Sequence, residues 1–160
     1  MTARRKLGAC VPLLYDHRAV ADKLSPQQLA QVPLFAGLKE RNLKMLAQSL
    51  KERSFGAGDT VAAEGKSGVG FFVIAEGEAA VTVDGKERAT LRAGDYFGEL
   101  ALIDDGSRTA TVVATTPLRC YAMTSWEFRP LVQENAIVAW HLLENLTKRL
   151  READARGASQ

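Results

Sequence analysis

The chain has 160 residues, 46% of them hydrophobic and 25% charged, with a formal net charge of +2. That length suits one domain of ordinary size with an appended helical segment, and the near-neutral balance excludes the disordered, collagen-like and membrane classes. No segment approaches the ~20 consecutive apolar residues of a membrane span, and the two cysteines, Cys10 and Cys120, are too few for a disulfide framework and lack metal-ligand spacing, so a reducing cytoplasm is expected.

Residues 1–24 carry Arg4, Arg5 and Lys6 without a clear period and are expected to form a flexible basic leader, although Val11 to Tyr15 could dock locally. Ser25-Pro26-Gln27-Gln28 combines a capping residue, a proline suited to the first helical position and a glutamine three residues after the cap, which predicts a short helix. Leu43, Leu46, Ala47 and Leu50 then recur at helical spacing and predict a second helix with one apolar face.

From about residue 51 to residue 124 the period changes. Gly and Asp-Gly punctuation separates short apolar or alternating runs, the pattern of a small antiparallel sandwich or roll. Ala79, Val81 and Val83 alternate up to Asp84-Gly85, a two-residue hairpin signal, and Ala89 and Leu91 resume the alternation. Leu118, Cys120 and Ala122 repeat it after Pro117.

Thr124 with Glu127 three residues on predicts another helix start. Phe128, Leu131 and Val132 open it, Asn135 interrupts, and Ile137, Trp140, Leu143, Leu146 and Leu150 mark a longer helix. That stripe reads as core packing, with a dimer seam as the alternative because Leu146 and Leu150 would project beyond a compact roll. Residues 155–160 are expected to be a disordered tail.

The densest chemical signal is Gly94-Asp95-Tyr96-Phe97-Gly98-Glu99-Leu100-Ala101-Leu102-Ile103, followed by Arg108-Thr109-Ala110-Thr111-Val112. A glycine-bounded loop opening a helix of about two turns presents free backbone N–H groups to an anion. Arg108 can grip a phosphate through paired donors, and Glu99, an acceptor only, suits a sugar hydroxyl. On spacing alone the two could equally be an ordinary ion pair across a loop.

The whole string closely resembles the phosphate-binding cassette of cyclic-nucleotide-binding domains, found in the catabolite activator protein family, regulatory subunits of cAMP-dependent kinase and nucleotide-gated channels. The family pattern is approximately F-G-E-L-A-L, a variable loop, then P-R-x-A-T-V. Val32-Pro33-Leu34-Phe35, Phe71-Phe72-Val73-Ile74-Ala75-Glu76-Gly77-Glu78 and the helices after Thr124 are similar to further family elements, so the resemblance spans Ser25 to about Arg151. It implies a mainly β fold with flanking helices: an antiparallel, jelly-roll-like β-roll (a double-stranded β-helix), an N-terminal helical motif and C-terminal lid helices. The nucleotide-binding domain is then 25–154, with the roll at about 51–124 and the lid at about 125–154.

The resemblance also implies roles. Glu99 would accept from the ribose 2′-hydroxyl, Arg108 would pair with the cyclic phosphate, and backbone N–H groups of Ala101 and Ala110 would add donors. Gly98 would leave room for the ribose, and Leu100 would lend its backbone. Ser107 stands where the family often has proline, which loosens the loop without removing a contact. Thr109 is the residue type found in cGMP-selective kinases and channels, yet it is also a good strand residue tolerated by bacterial-style cAMP receptors. The expected ligand is cAMP, with cGMP open, and no metal.

For the purine lid, Trp140 lies early on the last helix and is expected in core or hinge packing, whereas Arg149, Leu150 and Ala153 lie nearer the base. His17 and His141 have no partner at any motif spacing, no catalytic or nucleotide-fold glycine fingerprint is present, and an enzyme is not expected. No helix-turn-helix segment follows Leu150, and Lys148, Arg149 and Arg151 are balanced by Glu152 and Asp154, so DNA is not the expected partner. The reading is a cytoplasmic cyclic-nucleotide sensor with a protein effector or homodimer contact through its last helix. Its alternatives are a nucleotide-free docking or dimerisation module of the same fold and, less favoured, a DNA-binding regulator using the basic leader.

Overall fold

The computed structural model of the protein describes residues 24–66, 70–104 and 106–158. The expected basic leader, with Cys10 and His17, lies outside the described residues. The N-terminal motif comprises helix α1 (Pro26–Ala30), a 3-10 turn (Pro33–Phe35) and helix α2 (Glu40–Ser49). The cap at Ser25 is as the sequence predicts: its hydroxyl accepts from Gln28 N at 3.1 Å, and its own N–H donates to Gln28 Oε1 at 2.8 Å.

Among the described residues, eight strands follow in two four-stranded antiparallel sheets. They are β1 (Lys51–Phe55), β2 (Thr60–Ala62), β3 (Gly70–Glu76), β4 (Ala79–Val83), β5 (Lys86–Leu91), β6 (Tyr96–Phe97), β7 (Thr111–Ala114) and β8 (Leu118–Thr124). Sheet order is β1-β8-β3-β6 in one and β2-β7-β4-β5 in the other. Apart from the β4–β5 hairpin, neighbouring strands in both sheets are non-consecutive in sequence, as the expected jelly-roll-like β-roll requires. The hairpin at Asp84-Gly85 closes on the Val83↔Lys86 pair, with φ of 52° and 74° at its two residues, the left-handed geometry of a type I′ turn.

The first sheet is covered on both faces, and consecutive phenylalanines divide between them. Phe71 is fully buried and stacks on Phe128 with ring centroids 4.7 Å apart, in a core shared with Leu29, Leu34, Phe35 and Leu46 of the N-terminal motif. Phe72 stacks on Phe97 at 5.0 Å and belongs to the inter-sheet core with Ile74, Leu118 and Cys120. Strand alternation between two dry faces explains why Phe71-Phe72-Val73-Ile74 is continuously apolar. It also corrects the simple alternation read at 118–122, since Tyr121 and Met123 are buried on the opposite face from Leu118 and Cys120.

Helix α3 (Glu99–Ile103) is shorter than the two turns expected. Helix α4 (Ser125–Glu134) begins where Thr124 N donates to Glu127 Oε2 at 2.9 Å, and Asn135 separates it from α5 (Ala136–Ala158). That last helix continues through residues 155–158, where a tail was expected. Its buried side is Val138 and Leu142, whereas Ile137, Trp140, Leu143 and Leu150 are exposed. The stripe expected in the core therefore faces outward, because the helix docks through residues one or two positions away from it. Trp140 is 62% exposed, with Nε1 donating to Glu144 Oε1 at 3.0 Å, so it packs in neither core nor hinge. No described helix is long and apolar enough to cross a membrane.

Candidate functional site

The second sheet turns an apolar wall toward a cavity of about 660 Å³. Val81, Val83, Ala89 and Leu91, the alternating residues of the β4–β5 hairpin, line it with Val112. They are left partly or wholly exposed because the cavity, not another sheet, lies against them. The opposite side is the stretch from Tyr96 to Ala101, and Arg108 to Ala110 close the end. All seven residues singled out from the sequence, Gly98, Glu99, Leu100, Ala101, Arg108, Thr109 and Ala110, line this one cavity.

The buried charged residues of this wall are Glu99, at 2% exposure, and Arg108, at 9%. Arg108 is anchored by its backbone, its N–H donating to Lys66 O at 2.8 Å and its carbonyl accepting from Gly65 N at 2.9 Å. Its guanidinium Nη2 donates to Gly70 O at 2.8 Å. Nη1 is buried and has no hydrogen-bond partner among the described residues. Burial pulls the guanidinium pKa below its ordinary value, and the nearby Glu99 carboxylate works against that shift. A buried, charged donor without an acceptor is costly unless a ligand supplies one.

Glu99 is in an ion pair, though not the one with Arg108 that spacing alone left open. Arg149 of α5 donates from Nη1 to Glu99 Oε1 at 2.5 Å, so the partner is a residue on the last helix, not Arg108 across the loop. The Tyr96 hydroxyl beside them is pushed up to about 12, first by burial and then by the Glu99 charge, with Arg149 opposing. It stays a neutral hydroxyl at physiological pH.

Gly98 caps α3 with φ of +97°, a left-handed conformation that side chains resist. A Cβ there would sit 2.5 Å from Gly70 O and 2.7 Å from Arg108 Nη1. The glycine thus makes room for the arginine and for the Gly70 carbonyl.

Four further charged residues line the cavity. Arg149, Glu152 and Arg156 come from α5 together with Ala153, and Arg88 comes from β5. Arg149 and Ala153 were flagged by position; Leu150, flagged with them, is 62% exposed and points elsewhere. Glu152 and Arg156 were legible in principle, since they continue the buried line through Val138 and Leu142 at helical spacing. Arg88 was not: the β4–β5 register slips between Val81 and Thr82, whose partners are Ala89 and Glu87, leaving Arg88 between them as the extra residue of a bulge. His141 packs against the N-terminal motif, with Nδ1 3.0 Å from Leu34 O. Among the described residues no group of three His, Cys, Asp or Glu could hold a metal ion.

Fold and site together define a β-roll with a deep cavity, a buried arginine presenting a spare donor and a buried carboxylate beside it. The family model described as the cyclic nucleotide-binding domain matches residues 52–135, just over half the chain, and the protein belongs to that family. It is 38% identical over 119 residues to the cAMP-dependent protein kinase regulatory subunit of Yarrowia lipolytica, covering 73% of this chain and 31% of that one. To the cGMP-dependent protein kinase, isozyme 1, of Drosophila melanogaster it is 35% identical over 112 residues, covering 65% and 15%. The crystal structure of the Thermus thermophilus catabolite activator protein superposes with a TM-score of 0.69 at 30% identity, covering 78% of this chain and 61% of that one. The chain thus spans less than two thirds of the length of each of these relatives.

Proposed function

We propose that the protein is a cytoplasmic receptor for a cyclic nucleotide, with cAMP as the first ligand, acting as a regulatory binding module through rearrangement of its last helix. The observation that carries this reading is Arg108 Nη1: a charged, buried donor facing a cavity and lacking an acceptor. A cyclic phosphate supplies that acceptor with a charge-assisted hydrogen bond. The ribose 2′-hydroxyl then finds Glu99 as its acceptor, and the backbone of Leu100, Ala101 and Ala110 borders the phosphate.

The purine occupies the apolar side formed by Val81, Val83 and Leu91, under the α5 residues Arg149 and Ala153. Because Glu99 is tied to Arg149, movement of the cassette around the phosphate reaches α5 directly. Nucleotide binding shifts the position of that helix, and the altered helical surface is what a protein effector or a second copy reads. No catalytic step belongs to this mechanism.

Calorimetric titration with cAMP and then cGMP, on protein verified to carry no nucleotide from purification, tests it. Saturable binding of micromolar strength or tighter is the expected result. A second reading, a docking module of the same fold that takes no nucleotide, is favoured by one observation: the Glu99 carboxylate has a cationic partner within the chain, Arg149. Absence of heat with both nucleotides selects it.

A further inference from the structure

Helix α5 has two opposed faces. Val138 and Leu142 lie in the core, and Arg149, Ala153 and Arg156 line the cavity. On the outer face Trp140, Leu143 and Thr147 line a groove of about 540 Å³, and Leu150 continues the same stripe at helical spacing. Trp140, Leu143 and Leu150 are 62%, 55% and 62% exposed. Large apolar side chains gathered on one exposed face mark a contact surface, whereas scattered ones would need no explanation.

The chain itself supplies a cover of matching chemistry, length and reach. In residues 1–23, which precede the described chain, the large apolar side chains gather in Val11-Pro12-Leu13-Leu14-Tyr15. Pro12 and the residue before it favour extended backbone, in which five residues span about 17 Å. The stripe from Trp140 to Leu150 is about 15 Å long at the rise of an α-helix. Leu24, where the described chain begins, packs against the same core as Val138 and Leu142, the buried side of α5. The N-terminal motif that follows meets α5 beside Trp140, with His141 Nδ1 3.0 Å from Leu34 O. Nine residues carry the chain from Tyr15 to Leu24, an extended reach of about 30 Å against a radius of gyration of about 14 Å for a domain of this size. A segment on so short a tether acts at an effective concentration on the order of millimolar, which favours it over a free partner for the same groove.

We propose that Val11 to Tyr15 lie as an extended strap along the outer face of α5 of the same chain, over Trp140, Leu143 and Leu150. The strap grips α5 from the side opposite the cavity, and it must leave before any other partner reaches that face. The contact involves none of the residues assigned to the nucleotide, so it stands or falls separately from the ligand reading.

Contact quenching of Trp140 by a nitroxide attached to Cys10, the residue before the run, tests the strap in the full chain. Cys120, the other cysteine, is fully buried, so labelling falls on Cys10. Trp126→Phe, at a side chain 81% exposed, leaves Trp140 as the sole tryptophan. Labelling is expected to abolish most of the Trp140 emission, equally at every protein concentration. Leu13→Asp/Leu14→Asp is expected to restore the emission with the denaturation midpoint close to that of the parent, and Leu143→Asp, on the groove side, to restore it as well. Emission indifferent to the label overturns the proposal, as does quenching that disappears on dilution, which would give the face to a second copy. Quenching that survives Leu13→Asp/Leu14→Asp overturns the assignment of the run.

Discussion

The carboxylate of Glu99, on the short helix beside the cavity, is bonded at 2.5 Å to the guanidinium of Arg149, fifty residues later on the last helix. The glutamate is 2% exposed and the arginine side chain 41% exposed, so one charge of the pair is dry and the other partly wet. The contact fixes α5 over the cavity and holds a buried anion in place.

Removing the arginine leaves that anion without its cation. Arg149→Ala is expected to lower stability by about 1–3 kcal/mol, the cost of a buried group losing its partner, softened by water reaching the site. Glu99→Gln/Arg149→Ala is expected to recover part of the loss, because no buried charge remains. Urea denaturation of the parent and both variants checks this; equal losses in the single and double variants would show that the stranded carboxylate charge is not the source of the cost.

Arg108→Ala removes the Nη1 donor, which has no partner among the described residues. The expected result is a cAMP affinity at least roughly tenfold weaker, with circular dichroism and the denaturation midpoint close to those of the parent. Arg108→Lys is expected to bind weakly too, since a lysine cannot hold Gly70 O and an incoming phosphate with the same fork geometry. Binding by Arg108→Ala as tight as by the parent would relocate the site.

Gly98→Ala meets two obstacles at once, the left-handed backbone and the approach to Gly70 O and Arg108 Nη1. A destabilisation of about 1–3 kcal/mol is expected, accompanied by weaker nucleotide binding as the guanidinium is displaced. Thermal melting and calorimetry on the same sample read both effects.

Thr109 lines the cavity and is exposed within it. If the Thr109 hydroxyl bonds guanine, as the resemblance to cGMP-selective kinases implies, Thr109→Ala is expected to reduce cGMP affinity by several-fold while changing cAMP affinity little. Paired titrations of both nucleotides give the ratio directly, and a proportionate change in both affinities would remove Thr109 from base selection.

Two buried acids set the alkaline limit. Tyr96 is raised from 10.0 to about 12 and Cys120 from 9.0 to about 12, both chiefly by burial. In each case the unfolded chain loses its proton first, so the contribution to stability is complete below the unfolded pKa and is lost as pH rises toward 12. The melting temperature is expected to fall progressively from about pH 9 upward. Phe replacing Tyr96 is expected to flatten the upper part of that decline.

Much of the fold was legible in local chemistry. The capping boxes at Ser25 and Thr124, the Asp84-Gly85 hairpin and the break at Asn135 all follow from interactions within a few residues, which a sequence displays directly. The cassette was legible for the same reason: Gly98, Glu99 and Arg108 lie on one short stretch, although the cavity they line is completed by β4, β5, β7 and α5.

What sequence alone could not decide was the orientation of α5. Its apolar residues form two stripes, and the stripe with the larger side chains, Trp140, Leu143 and Leu150, is the one left outside. Local periodicity fixes which residues share a helix face; which face docks is decided by the shape of the surface offered by Leu34, Phe35 and the cavity rim. Arg149 consequently meets Glu99 and Arg88 enters the cavity through a slipped register, two outcomes set by contacts between segments far apart in the chain, where amino-acid spacing carries no signal.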